Sequence, residues 1–287
     1  MNNTTIGFVG QGFIGKHMAD DFVERGHSVV RYALEPAYEM NRDSITDCDV
    51  VFIAVPTPTT PTGFDSSILE AVLPLVGVGK IAVIKSTILP GTTARLQAQF
   101  PNITLLHSPE FLREKSALED TRAPVRTIVG LPVDDAIHRA AAELVIALLP
   151  TSPFTMIVTS AEAELIKYGG NNFLALKVMF MNILYDAAEA AGANYSVIAE
   201  AMKADPRIGT SHMNVIDQSG HPGSIPGRGA GGHCFPKDWA AFRAWYEMAC
   251  GEDVLGVAAL TALEEKNIEL LRQSDKDLEL LRGIYGK

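Results

Sequence analysis

An α/β domain built on a doubly wound parallel sheet, followed by an all-α domain, is the fold class that the sequence predicts. Three observations carry it. Short apolar runs alternate with helical patterns as far as Val158, which is the rhythm of strand-helix-strand units pairing in parallel. The first run enters Gly10-Gln11-Gly12-Phe13-Ile14-Gly15, a turn whose glycines let backbone pass from strand to helix and lie close to a ligand. From Thr159 to Asp205 there is no proline, and the composition turns helical.

A chain of 287 residues accommodates two modest domains, each with its own core. We expect the first over residues 1–157 and the second over 158–287. The net charge of −10 argues against nucleic acid or an anionic membrane as partner, since both demand a positive face. Cys48, Cys234 and Cys250 are odd in number and widely spaced, so no disulfide framework is expected and a reducing cytoplasm fits. Met1-Asn2-Asn3-Thr4-Thr5 lacks a basic region leading into a long apolar run, and no apolar segment reaches membrane-spanning length. Neither signal peptide nor anchor is expected.

Ile6–Val9 reads as a buried strand, the glycine turn as a dinucleotide site, and Lys16–Glu24 as the helix whose N-terminus receives the phosphates. The second strand, Ser28–Tyr32, should end in an acid that binds the adenosine ribose. Ala33 holds the strand-end position, and Glu35 follows on the same side if the strand continues. Glu35 therefore points to NAD, while Arg31 leaves NADP open.

Val50–Val55 is a strand leading into the proline-rich loop Pro56–Gly63, with Asp65 capping a helix over Ser66–Val76. Lys80–Lys85 and Ile103–Leu106 end in the polar clusters Ser86–Thr93 and His107–Glu114. In an open α/β sheet such clusters gather at the carboxyl edge, where ligands bind. Thr127–Val129, a helix over Asp134–Leu149 and Phe154–Val158 complete the first domain. In the second, Lys167 and Asn171 share a helix face, either as its solvated stripe or as functional groups, and Phe173, Leu174, Leu176, Val178 and Phe180 suggest that this helix is largely buried. Asp205-Pro206-Arg207 is a turn that displays Arg207, and Val254–Leu281 reads as an amphipathic packing helix.

The long Gly/Pro-rich loop Ser219–Gly232 leads to Gly231-Gly232-His233-Cys234-Phe235-Pro236-Lys237-Asp238. Pro236 suits the first turn of a helix, which places Cys234 just before a helix N-terminus. The partial positive charge there, with Lys237, favours thiolate and hence nucleophilic attack.

Together these motifs resemble the nucleotide-sugar dehydrogenases, the UDP-glucose and GDP-mannose 6-dehydrogenase family. The resemblance runs in order through Gly10–Gly15, Val55-Pro56-Thr57-Pro58, Ser86-Thr87 with Pro90-Gly91-Thr92, Ser108–Glu114, Lys167 with Asn171, Arg207-Ile208-Gly209 and Gly231–Asp238. It implies a Rossmann-type domain, an all-α dimerisation domain, and oxidation of a primary alcohol twice, to the acid, by two nicotinamide cofactors in turn. Cys234 would form a thiohemiacetal and then a thioester. Lys167 and Asn171 would stabilise oxyanions, Asp238 would act with a water as base, and Glu110 would activate the hydrolytic water that Thr87 positions. The resemblance places Gly10, Gly12, Phe13, Ile14, Gly15, Glu35, Thr57, Thr87, Glu114 and Lys237 along NAD. It places Phe111, Leu112, Arg113, Lys167, Asn171, Arg207 and Gly231 along the substrate. No metal is implied, and a homodimer through the central helix is.

Four departures stand out, the first being that the loop between Arg207 and Cys234 is longer than in the family. The strand-end acid is replaced at Ala33, the segment before Val50 is short, and the sequence stops where the family's third, nucleotide-binding domain would begin, so that domain is expected to be absent. A single-oxidation 3-hydroxyacid dehydrogenase, which shares the two-domain layout, and a non-catalytic scaffold relic are the rival expectations.

Overall fold

In the computed structural model, which describes residues 4–286, the apolar runs form strands β1 (Thr5–Val9), β2 (Ser28–Tyr32) and β3 (Val50–Ile53), a small hairpin of β4 (Thr59–Thr60) and β5 (Gly63–Phe64), and then β6 (Ile81–Ile84), β7 (Thr104–His107), β8 (Thr127–Leu131) and β9 (Thr155–Thr159). The expectation drawn on Met1, Asn2 and Asn3 lies outside the described residues. Seven strands make one sheet in the order β2-β1-β3-β6-β7-β8-β9. The chain winds outward from β1 to β2 and then returns past β1 to β3, so a topological switch point lies between β1 and β3.

The sheet is not wholly parallel, and this corrects the expectation. The strands from β2 across to β7 are parallel to their neighbours, but β8 runs antiparallel to β7, with His107 opposite Gly130; β9 is parallel to β8. A parallel β7–β8 pair needs a crossover that carries the chain back over the sheet. Residues 108–126 contain only a loop, a single 3₁₀ turn and the six-residue helix α4 (Ala117–Arg122), so the chain re-enters from the edge at which it left.

Strand residues alternate between two cores, as expected of a sheet buried on both faces. Ile6, Phe8, Val50, Phe52, Val83 and Leu106 pack with Met18 and Phe22 of α1 (Phe13–Glu24) and Val145 of α5 (Ala136–Leu148). Val9, Val51, Ile53, Ile84 and Leu105 pack with Leu69 of α2 (Ser67–Val72) and Leu96 of α3 (Thr92–Gln99). Each large buried side chain contributes roughly 1.5–3 kcal/mol. Helix α1 begins at Phe13, inside the glycine turn, rather than at Lys16. Asp65 Oδ1 accepts the Ser67 N–H at 2.8 Å, but α2 ends at Val72 because Pro74 turns the chain into a short 3₁₀ segment.

Two compact units emerge. One comprises the chain through Pro58 with Phe64–Lys167, and the other comprises Thr59–Gly63 with Tyr168 onward. Helix α6 (Ser160–Ala190) contains the boundary. The second unit adds α7 (Tyr195–Lys203), α8 (Phe235–Cys250), α9 (Val254–Gln273) and α10 (Leu278–Tyr285). Its core joins Ala175, Val178 and Met179 of α6 to Ala230 and Trp239.

Two helical expectations are corrected here. Helix α6 is not largely buried: Val178 is enclosed, but Phe173 is 65% exposed, Phe180 51% and Leu176 37%, because one helix face suffices to close this core. The segment Val254–Leu281 is not one helix. It breaks at Ser274–Asp277, where Asp275 and Asp277 take positive φ. Among the described residues no helix is long and apolar enough to cross a membrane.

Candidate active site

At the carboxyl end of β1 the turn is shaped by steric exclusion. A Cβ on Gly10 (φ +91°) would lie 2.3 Å from Ala54 O, and one on Gly15 would lie 1.9 Å from Gly10 O. Neither position admits a side chain. Gly12 differs, since a Cβ there would meet nothing within 4 Å, which leaves room for a ligand. Gly12 is also the N-cap of α1, without a side-chain acceptor and with no acid in the first turn. The helix thus presents its own N–H groups and partial positive charge to open space, beside exposed Phe13 and half-buried Ile14. These residues fit a dinucleotide phosphate.

The neighbouring strand ends are tied together. Ser86 Oγ donates to Val55 O at 2.7 Å and accepts from Val55 N at 3.1 Å. Thr57 Oγ1 donates to Thr87 O at 2.7 Å, which fixes both threonines at the sheet edge. Glu35 does not follow on a continued strand: β2 stops at Tyr32, and Glu35 O accepts from Tyr38 N and Glu39 N in the next turn. Its carboxylate is exposed. Arg31 bonds to Asp20 at 2.6 Å.

Glu110 lies beyond β7. Its Oε1 accepts the Phe111 N–H at 2.8 Å, and its Oε2 is 3.2 Å from Lys85 Nζ. Lys85, only 5% exposed, also reaches Ser108 Oγ at 3.3 Å. Sequence reasoning did not single out Lys85, although a lysine closing an apolar strand was the available signal. Beneath it His107 is fully buried, with Nδ1 donating to Ile84 O at 3.1 Å. Burial, with Lys85 nearby, pushes the imidazole down to about 3. The Phe111 ring lies under the Arg126 guanidinium, 3.8 Å away, and 5.6 Å from Lys167 Nζ. Leu112 is half-buried, as is Glu114 at the head of the 3₁₀ turn. Arg113 turns outward and grips Asp120 with Nε at 3.0 Å and Nη2 at 2.6 Å. Glu164, one helical turn before Lys167, is also buried. It accepts from Gly91 N, Thr93 N and Thr93 Oγ1 at 2.6–2.8 Å and so caps α3. Burial raises its carboxyl above the usual range.

In the second unit, exposed Cys234 is the N-cap of α8, with Pro236 in the first turn, as expected from the sequence. One turn on, Asp238 is 1% exposed. Its Oδ2 accepts from Asn171 Nδ2 at 2.6 Å and its Oδ1 from Lys237 Nζ at 2.6 Å. Lys237 O in turn accepts from Thr59 Oγ1 at 3.1 Å. Arg207 folds back onto Asp205 at 2.6 Å, while Lys177 Nζ secures Ile208 O and Gly209 O. Gly231 packs against Asp277, whose Oδ2 would lie 2.2 Å from a Cβ there.

The first unit therefore gathers the glycine turn with Thr57 and Thr87 at its sheet edge, and Glu110 and Phe111 with Lys85, Arg126 and Lys167. The second gathers Asn171, Lys237 and Asp238 behind Cys234. Arg113 and Arg207 are held by neighbouring acids instead. Among the described residues no cluster of His, Cys, Asp or Glu is placed to hold a metal ion.

Comparison with known proteins agrees with this architecture. The NAD binding domain of the UDP-glucose/GDP-mannose dehydrogenase family matches residues 32–146, and the central domain of the same family matches residues 161–267. The putative UDP-glucose 6-dehydrogenase YtcA of Bacillus subtilis is 36% identical over 86% of this chain and 54% of its own length. A Rickettsia typhi UDP-glucose 6-dehydrogenase is 35% identical over 66% of this chain and 43% of its own. The chain thus spans about half the length of the curated relatives it matches. The UDP-glucose dehydrogenase structure from Pyrobaculum islandicum superposes with a TM-score of 0.78 at 29% identity, covering 94% of this chain and 69% of that one. With both family models matched in order and the fold shared, the chain belongs to the UDP-glucose/GDP-mannose dehydrogenase family.

Proposed function

We propose that this chain is an NAD-dependent dehydrogenase that oxidises the primary alcohol of a nucleotide sugar twice, to the uronic acid, in the manner of UDP-glucose to UDP-glucuronate. One observation carries the reading: an exposed thiol caps α8, and one turn later a buried carboxylate holds an amide and an ammonium group. A packing cysteine requires neither neighbour.

Gly10–Gly15, Thr57, Thr87, Glu114 and Lys237 would hold NAD, and Glu35 the ribose. Bound NAD supplies the hydride acceptor, and two are reduced per substrate. Asp238, through a water, takes the alcohol proton. Lys167 and the second N–H of Asn171 stabilise the alkoxide and later oxyanions. The Cys234 thiolate adds to the aldehyde carbon to give a thiohemiacetal, whose oxidation leaves a thioester. Glu110, held by Lys85, removes a proton from the water that attacks the thioester. The C–S bond breaks and thiolate returns. Phe111, Leu112, Arg113 and Gly231 would lie along the substrate and Arg207 would reach a substrate on the partner subunit, each arginine on release from the acid that holds it, Asp120 or Asp205.

The exposed stripe on α6, Phe173, Leu176, Phe180 and Ile183, supports a homodimer through that helix. The odd number and wide spacing of Cys48, Cys234 and Cys250 favour a reducing compartment such as the cytoplasm as the proposed location.

The test is stoichiometric. UDP-glucose, GDP-mannose and UDP-N-acetyl sugars are screened by thermal shift with NAD and with NADP, and the binder is then turned over. Two cofactors reduced per substrate support the reading. One would support the single-oxidation rival, the 3-hydroxyacid type of reaction, and none, with no thermal shift, a binding scaffold. A clear preference for NADP removes Glu35 from the ribose.

A further inference from the structure

The four residues that interrupt the last helical segment, Ser274–Asp277, lie beyond the matched central domain, which ends at residue 267. They hold the loop that leads to Cys234. Asp277 has a fully buried side chain. Its Oδ2 accepts from Ser219 Oγ and from Gly232 N, both at 2.6 Å, and its Oδ1 is 2.8 Å from His221 Nε2. Lys276, 2% exposed, donates to Gly229 O at 3.0 Å and Gly227 O at 3.4 Å. Ser274 Oγ accepts from Arg228 N at 2.9 Å. Just upstream, Asn267 bonds both the N–H and the C=O of Ala230, at 2.7 and 3.0 Å. Nearly every backbone group from Gly227 to Gly232 that bonds outside the loop is taken by this turn and the helix before it.

Sterics agree with the bonding. Cβ atoms on Gly227 and Gly231 would fall within 2.9 Å of Lys276, Ser274 or Asp277, so the loop is moulded to the turn. Asp275 and Asp277 adopt positive φ, a conformation unfavourable for residues with a Cβ and retained when surrounding bonds over-determine it. Burial raises the Asp277 carboxyl, but the bonds from Ser219, Gly232 and His221 outweigh it and hold the group below the usual carboxylate range. It is therefore an ionised, fully bonded anchor. Only His233 separates the anchored Gly232 from Cys234, the N-cap of α8.

We propose that the Ser274–Asp277 turn is a positioning device for Cys234, with Asp277 and Lys276 as positioning residues that fix Gly229–Gly232 and so hold the thiol at the amino end of α8. The proposal rests on the proposed role of Cys234 as nucleophile, but its test does not require turnover. Cys234 is already exposed, so releasing the loop adds no access. What release removes is the fixed alignment with the helix end that favours thiolate.

The experiment compares Asp277→Asn with the unaltered turn, both in a Cys250→Ala background. Buried Cys48, whose thiol burial and nearby acids raise to about 11, reacts slowly. Hydrogen exchange is followed over Gly229–Cys234, and iodoacetamide alkylation of Cys234 is followed by mass spectrometry from pH 5 to 9. Exchange should accelerate about tenfold or more in that segment while α9 keeps its protection. Alkylation at pH 7 should slow about threefold or more, with its pH profile moved toward that of an ordinary thiol. Unchanged exchange, or faster exchange with an unchanged alkylation profile, overturns the proposal. If Asp277→Asn does not fold, Ser219→Ala and Lys276→Met, each removing one bonding partner, are judged by the same two readouts. Inactivity of the unaltered protein toward every sugar nucleotide would count against the proposed function alone.

Discussion

Asn171 Nδ2 donates to Asp238 Oδ2 at 2.6 Å, while the other carboxylate oxygen takes the Lys237 ammonium at the same distance. A carboxylate that is 1% exposed is stable in charged form only when paired and hydrogen-bonded in this way. The pairing also fixes the orientation of the Asn171 amide, whose second N–H is the proposed oxyanion donor. Replacing Asp238 by Asn keeps the shape but removes the proposed base and the charge. NADH formation should fall about 10²–10⁴-fold in steady-state assays with the sugar nucleotide found by the screen, and the thermal midpoint should also fall, because the Lys237 ammonium loses its buried partner. Activity within threefold of the unaltered protein would assign Asp238 to structure instead.

The exposed α6 stripe predicts the oligomeric state. Phe173→Glu with Phe180→Glu places two charges where a second α6 would pack, and a buried unpaired charge is not tolerated at an interface. Light scattering after size exclusion should report twice the chain mass for the unaltered protein and one chain mass for the variant. A monomeric unaltered protein would sink this prediction.

Glu164 predicts a stability effect remote from the chemistry. Its carboxylate satisfies two backbone N–H groups and a hydroxyl at the start of α3. Glu164→Ala leaves those donors buried without a partner, so urea unfolding should show a loss of about 1–3 kcal/mol. Glu164→Gln, which keeps an acceptor oxygen, should lose less. Equal losses would argue that packing volume, not the cap, matters there.

His107 predicts part of the acid limb. Its imidazole falls from 6.5 to about 3 on burial, so between those pH values the unfolded chain binds a proton that the folded chain refuses. The resulting stability is fully present above pH 6.5 and is lost as pH falls toward 3, amounting to a few kcal/mol at most. His107→Gln can keep the bond to Ile84 O without titrating. Its urea-derived stability should therefore vary less between pH 6.5 and 4, and a parallel curve for the two proteins would remove His107 from the account.

Local chemistry was legible from the chain alone. The Gly10–Gly15 turn, the Pro236 start of α8 with Cys234 at its cap, and the strands at their spacing all follow from backbone sterics and short-range periodicity, which act within a few residues. The motifs were also sufficient to identify the family. What the sequence could not decide depends on partners far along the chain. Apolar periodicity places Phe173 and Phe180 on a helix but cannot say whether Trp239 and its neighbours will cover them. The antiparallel entry of β8 depends on a connection that fails to cross the sheet. Lys85 meets Glu110 only once β6 and β7 pair. The break at Ser274–Asp277 exists because Asp277 bonds Gly232, 45 residues earlier, and a contact of that range leaves no pattern in either segment by itself.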